Sequence, residues 1–221
     1  MNTLTKLALG MMGRLQPKAS ESNTLTNIVL PPPETSGGLG LMDALQRRQS
    51  QRAFLPEPLS HQTFSNLAWA ACGINRVDLD GRTVPSALNA QEVDLYLALP
   101  QGLYRYLPRR NLLEQVVAQD VRRVTGYQDF VDNAPLDLIF VADHTRMSLI
   151  PVSKRGQYCA VSAGAMAQNI ALFCASAGLA NVVRAWFDRQ ALAQAMLLGP
   201  DQQILLTQTV GQAMPAATKG S

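Results

Sequence analysis

The sequence predicts an α/β or α+β domain, a central β-sheet with helices packed around it. Three observations point there. Alternating and continuous apolar runs of strand length interleave with helix-like segments. One strand pair is separated only by Pro100-Gln101, as in a hairpin. The segment 155–177 is rich in alanine and apolar nearly all round, so as a helix it must be covered on several sides.

The elements follow in order. Leu41 to Gln46 reads as a short helix. Ser60 is an N-cap for a helix with Phe64, Leu67, Ala68, Ala71 and Cys72 at helical spacing, closed by Gly73. Val93 to Leu99 alternates as a strand, and Gly102 to Leu107 follows as the second arm of the hairpin. Asn111 to Val124 is helix-like. Leu136 to Ala142 is a buried strand. Arg155 to Ala177 is the long helix, stopped by Gly178. Ala180 to Phe187 and Gln203 to Val210 are strands, with a short helix from Asp188 to Leu197 between them.

At 221 residues, 47% hydrophobic and 16% charged, the chain can bury one sizeable core, and two domains are not required. The expected organisation is a weakly ordered tail and Pro/Gly-rich linker over 1–40, a folded domain over 41–213, and a tail over 214–221. The net charge of +3 comes from scattered arginines, with no lysine block or nucleic-acid signature, so no nucleic-acid partner is expected. Cys72, Cys159 and Cys174 lack CxxC spacing and lie in apolar contexts, which predicts buried free thiols. His61 and His144 lack metal-ligand spacing, so no metal site is expected. No membrane span is expected either: Gln157, Ser162, Gln168 and Asn169 make the long helix too polar, which leaves a core or subunit-interface helix. The chain is expected to be cytoplasmic, with export left open by the short apolar stretch Leu7 to Met12.

Two runs carry the chemistry. Arg47-Arg48-Gln49-Ser50-Gln51-Arg52 follows the first of the helices above. If it is extended, Arg48, Ser50 and Arg52 point the same way and offer forked donors and a hydroxyl to a dianion. The same run also reads as a solvated basic helix end, where arginines complement the dipole. Pro85-Ser86-Ala87-Leu88-Asn89-Ala90-Gln91 places two amides before a strand. They suit the edge of a heteroaromatic ring, or equally an ordinary turn that satisfies its own backbone. GxxxxGK[ST], GxGxxG and GxSxG are all absent, so a phosphorylated cofactor would be held by arginines rather than by a glycine loop.

Together these runs resemble the flavin-dependent nitroreductase family. The matching motifs, in order, are Arg48-Gln-Ser50-Gln-Arg52 with Phe54, Pro85 to Gln91, Gly178-Leu179 through Trp186-Phe187-Asp188, and Val210-Gly211. The Gly102-Leu-Tyr-Arg-Tyr-Leu-Pro108 stretch is similar to the branch that includes the azoline dehydrogenases of peptide biosynthesis. The resemblance covers roughly 41–211. It implies a mixed central sheet surrounded by helices, an intertwined homodimer, and noncovalent FMN at the interface with NADH or NADPH as donor. By it, Arg48, Ser50 and Arg52 would hold the phosphate and pyrimidine side of the flavin, Gln49 would lie alongside them, and Arg47 would belong to the same cofactor-binding set. Asn89 and Gln91 would meet the ring edge, and backbone groups of Ala185 and Trp186 would face the reactive nitrogen. No protein nucleophile is implied, because the flavin carries the chemistry.

The implied activity is NAD(P)H-driven reduction of nitroaromatics, quinones or related small acceptors. An azoline-type dehydrogenase, or a flavin-binding protein without turnover, are the other readings. Two departures accompany the resemblance. Ala185-Trp186 stands where many members have Glu-Gly, and Lys219 is the only basic residue after the last strand. Arg184 reads as a surface arginine or as a selector of an anionic ligand.

Overall fold

The structure is a computed structural model that describes residues 1–18 and 24–214. Five helices are described: α1 (Thr3–Met11), α2 (Leu41–Arg47), α3 (His61–Cys72), α4 (Val152–Ala177) and α5 (Arg189–Ala195). The strands are β1 (Ile28–Val29), β2 (Ile74–Arg76), β3 (Gly81–Arg82), β4 (Val93–Leu99), β5 (Gly102–Leu107), β6 (Leu112–Val117), β7 (Leu136–Asp143), β8 (Leu179–Arg184) and β9 (Gln202–Gln212). Seven of them form one sheet in the order β1-β6-β5-β4-β7-β9-β8, while β2 and β3 pair separately.

The fold class is α+β, as expected, but every pairing in the large sheet is antiparallel rather than mixed. The cause lies in α4. It carries the chain from β7 to β8, and those two strands run in the same direction. β9 fills the slot between them and pairs antiparallel with both.

Side-chain alternation divides the central strands between two cores. Val93, Leu95, Leu97 and Leu99 of β4, with Leu136, Leu138 and Phe140 of β7, pack under α3 and α4. Tyr96, Ala98, Ile139 and Val141 face the other way, against Val121, Val124, Phe187, Leu192 and Met196. A strand covered on both faces reads as a continuous apolar run.

The helix signals act as the sequence implies. Ser60 Oγ accepts from the Thr63 amide at 3.1 Å, and Asp188 accepts from the Ala191 amide at 3.0 Å. Gly178 ends α4 in the left-handed region (φ 69°), which lets the chain turn straight into β8. By length and composition α4 could cross a membrane, but Cys159, Ala163, Met166, Ala167, Ile170 and Cys174 bury one face of it in the protein.

Two segments differ from expectation. Asn111–Val124 is not helical. Asn111 turns the chain at φ 43°, Leu112–Val117 pairs with β5 and β1, and a 3-10 turn spans Arg122–Val124. Leu, Glu and Gln favour helix intrinsically, but cross-strand pairing outweighs a weak local preference. The N-terminal segment is not a loose tail in its described parts. In α1 the Lys6 ammonium is fully buried, 2.5 Å from Asp132, and donates to the Gln128 carbonyl at 2.8 Å. Burial pushes the Lys6 pKa down despite that partner. Ile28 and Val29 add an edge to the sheet.

Candidate functional site

The arginine run begins where α2 stops. The Arg48 amide donates to the Ala44 carbonyl at 2.9 Å, and the chain then extends along the open edge of the sheet. The Gln51 amide donates to the Asn181 carbonyl of β8 at 2.8 Å, and the Leu55 amide donates to the Gln212 carbonyl at 3.0 Å. This extended path alternates the side chains. Arg47, Gln49 and Gln51 line a cavity of about 390 Å³ together with Cys174 and Gly178. Arg48, Ser50 and Arg52 lie outside it, exposed, and their side chains have no partner among the described residues.

The amide loop is strained. Leu88, Asn89 and Gln91 have φ of 53°, 53° and 50°, in the left-handed region where non-glycine residues are uncommon. Gln91 ties the loop to itself. Its amide N–H donates to Ser86 Oγ at 3.0 Å, and its side-chain nitrogen donates to the Asp80 carbonyl at 2.7 Å and to Asn89 Oδ1 at 3.2 Å. The Gln91 side chain thus braces the loop, and the Asn89 side-chain NH₂ is left exposed at its tip. Arg146 holds the same loop from behind, donating to the Gln91 carbonyl at 2.9 Å while pairing with Asp94 at 2.5 Å. Burial alone would raise the Asp143 carboxyl, but hydrogen bonds from Thr145 and the charge of Arg146 outweigh it and hold the group below its ordinary range.

Ala185 and Trp186 follow β8 and are exposed. The Trp186 ring lies 5.3 Å from Tyr127, and its carbonyl already accepts from the Tyr127 amide at 3.3 Å. Arg184, one step earlier, is neither a surface residue nor a ligand selector. It is 5% exposed and donates to Asp137 at 2.6 Å and to the Thr125 carbonyl at 2.7 Å. Lys219 lies outside the described residues.

One chain does not bring the two runs together. The arginine run sits beside Cys174 and Gly178, at the C-terminal end of α4. The amide loop sits at the opposite end, where Ala87 packs against Met147, Ile150 and Cys159. Cys159 and Cys174 are fifteen residues apart, roughly 22 Å along a helix.

All three thiols are free and buried. Burial pushes Cys72 up to about 12 and Cys159 up to about 11, and it raises Cys174 as well. Among the described residues no group of His, Cys, Asp and Glu is arranged to hold a metal ion. Two features gave no sequence signal. Both Glu92 carboxylate oxygens are buried without a hydrogen-bond partner. Five arginines from four segments also converge behind the amide loop.

The model of the nitroreductase family matches residues 45–212. The chain belongs to the nitroreductase family, a family of oxidoreductases. The matched span contains the arginine run, the amide loop and β8 with the step that follows it. Among relatives of this chain, a protein of Methanocaldococcus jannaschii assigned as a nitroreductase is 30% identical over 162 residues, 68% of this chain and 81% of its own length. A crystal structure of a nitroreductase-type protein from Ralstonia eutropha is 47% identical, with a TM-score of 0.84 over 90% of this chain and 94% of that one. A Desulfovibrio desulfuricans protein of the same type, solved in complex with FMN, is 19% identical, with a TM-score of 0.59 over 84% and 91% of the two chains, and so shares the fold.

Proposed function

We propose that this member of the nitroreductase family is an FMN-dependent oxidoreductase that takes electrons from NADH or NADPH and passes them to a nitroaromatic, a quinone or a related small acceptor. The observation that carries this reading is the unpaired, exposed set Arg48, Ser50 and Arg52 on one side of an extended run. Two planar forks and a hydroxyl match a phosphate dianion, and no carboxylate among the described residues pairs with them. The residues present fit FMN: this set would hold its phosphate, and the outward NH₂ of Asn89 would donate to an acceptor on the ring edge. The FMN bound by the Desulfovibrio neighbour supports the choice of cofactor. FMN, when bound, supplies the redox chemistry, while the chain binds it, orients it and sets its surroundings.

Completing that site calls for a second copy of the chain. The exposed side of α4 carries Gly156, Ala160, Val161 and Gly164, and nothing stands within 4 Å of where a Cβ would sit on either glycine. Small residues on an uncovered helix face allow a partner helix to approach closely. Two α4 helices packed antiparallel would set the arginine run of one protomer beside the Asn89 loop of its partner. The proposed enzyme is therefore a homodimer with each flavin held by both chains.

The test is the absorption spectrum of purified protein. A yellow protein releasing FMN is expected, with NAD(P)H bleaching the bound flavin. Arg48→Ala/Arg52→Ala is expected to lose at least tenfold in FMN affinity, the equivalent of about one charge-assisted hydrogen bond. Unchanged affinity would remove the site assignment. The sequence of the Gly102–Pro108 run, of which Gly102–Leu107 forms β5, supports a second reading as an azoline-type dehydrogenase. A bound flavin that NAD(P)H fails to reduce would select that reading.

A further inference from the structure

Behind the Asn89 loop lies a cavity of about 310 Å³ whose lining is unusually cationic. Arg82 reaches it from β3, Arg105 from β5, Arg109 and Arg110 from the turn after β5, and Arg146 from the turn after β7. Only two carboxylates, Asp80 and Asp94, share the lining with these five guanidinium groups. The paired arginines are easily identified. Arg109 pairs with Asp80 at 2.5 Å, Arg146 with Asp94 at 2.5 Å and Asp143 at 3.2 Å, and Arg105 with Glu114 at 2.7 Å. Arg82 and Arg110 have no carboxylate partner among the described residues. The Nε groups of Arg82 and Arg105 are buried without an acceptor. Buried N–H donors with nothing to donate to are costly, and they mark the position of a missing acceptor.

We infer that this hollow binds a phosphate group carried by a phosphorylated ligand. Unpaired forked donors converging from separate elements suit an oxyanion with several oxygens, and excess positive charge within a concave wall draws a dianion in. The hollow is also mechanically joined to the amide loop. Arg146 lines it and donates to the Gln91 carbonyl, and Gln91 in turn holds both Asp80 and Asn89. A phosphate seated there would lie one loop away from the ring edge assigned to Asn89. The inference deepens the proposed function and rests on it only for the identity of the ligand. Within that function the phosphate belongs either to the 2′-position of a nicotinamide donor or to a phosphorylated acceptor.

The experiment is calorimetric titration of the flavin-loaded protein with inorganic pyrophosphate and with adenosine 2′,5′-bisphosphate at low ionic strength. Flavin content is read by absorption in the same samples. Binding that weakens with salt is expected, with a loss of about tenfold in Arg82→Gln and in Arg110→Glu and no change in flavin content. Arg110 is exposed on a turn, so its variant tests the site even if Arg82→Gln fails to fold. If adenosine 2′,5′-bisphosphate raises KM for NADPH and not for NADH, the phosphate is the donor's. If it leaves both unchanged while still binding, the site serves a phosphorylated substrate. Absence of pyrophosphate binding, or equal binding by parent and both variants, overturns the inference. Absence of flavin alongside intact pyrophosphate binding would instead remove the flavin reading and leave this site standing.

Discussion

Arg184 belongs to the outermost strand of the sheet, yet its guanidinium is enclosed with Asp137, Thr125 and the Thr125 carbonyl. A buried pair of this kind contributes little net stability compared with apolar packing, but removing one partner strands the other charge. Arg184→Met and Asp137→Asn are each expected to lower the unfolding free energy by about 3–5 kcal/mol in urea titrations, and the double replacement is expected to cost less than the sum. Partnerships like this mark the limit of what single residues disclose. Asp137 and Arg184 are 47 residues apart and meet only because β9 lies between their strands. The arginines of the phosphate hollow were equally illegible, since Arg82 and Arg146 come to line one cavity only through the tertiary fold. The expectation that Arg48, Ser50 and Arg52 share a face could be drawn from the sequence because alternation along an extended chain is a local rule.

At the scale of elements, capped helices and continuous apolar strands announced themselves. α3, α4, α5, β4, β7 and β9 lie close to where their signals place them. The Asn111–Val124 segment did not, because its pattern suits a helix until β1 and β5 claim it from both sides. The amide loop was legible as chemistry but not as strain. Leu88 is 72% exposed at φ 53°, a conformation costing about 1–2 kcal/mol for a non-glycine residue. Such strain held beside a binding element is characteristic of preorganised sites. Leu88→Gly is expected to raise the melting temperature slightly, because little apolar area is lost. The same variant is expected to release flavin faster than the parent in stopped-flow dilution, since the loop loses its preset shape. A variant that melts lower and holds flavin normally would show that the strain has no binding role.

At the scale of the whole molecule, the two halves of the proposed cofactor site lie at opposite ends of α4, so association and cofactor retention become one property. Gly164→Leu, on the uncovered face of α4, is expected to give a monomer by sedimentation and to lose FMN in step, with the far-ultraviolet circular dichroism of the sheet intact. Loss of the dimer with flavin fully retained would refute the shared site. The sequence expressed this arrangement only indirectly, as a long helix with too little polar surface. Which of its faces was core and which was open depended on where α2 and α3 settled.

β9 has a further consequence, for the order in which the protein is made. It is the last of the described strands, and it lies between two strands synthesised before it. Until Gln202–Gln212 leaves the ribosome, β7 lacks one neighbour and β8 lacks its partner strand, each an apolar edge able to pair with another chain. The sheet therefore closes by insertion rather than by adding strands at its rim. That step joins distant parts of the sequence and is slow by nature. A nascent or truncated chain stopped before residue 202 would leave both edges exposed and so be a substrate for chaperones and aggregation.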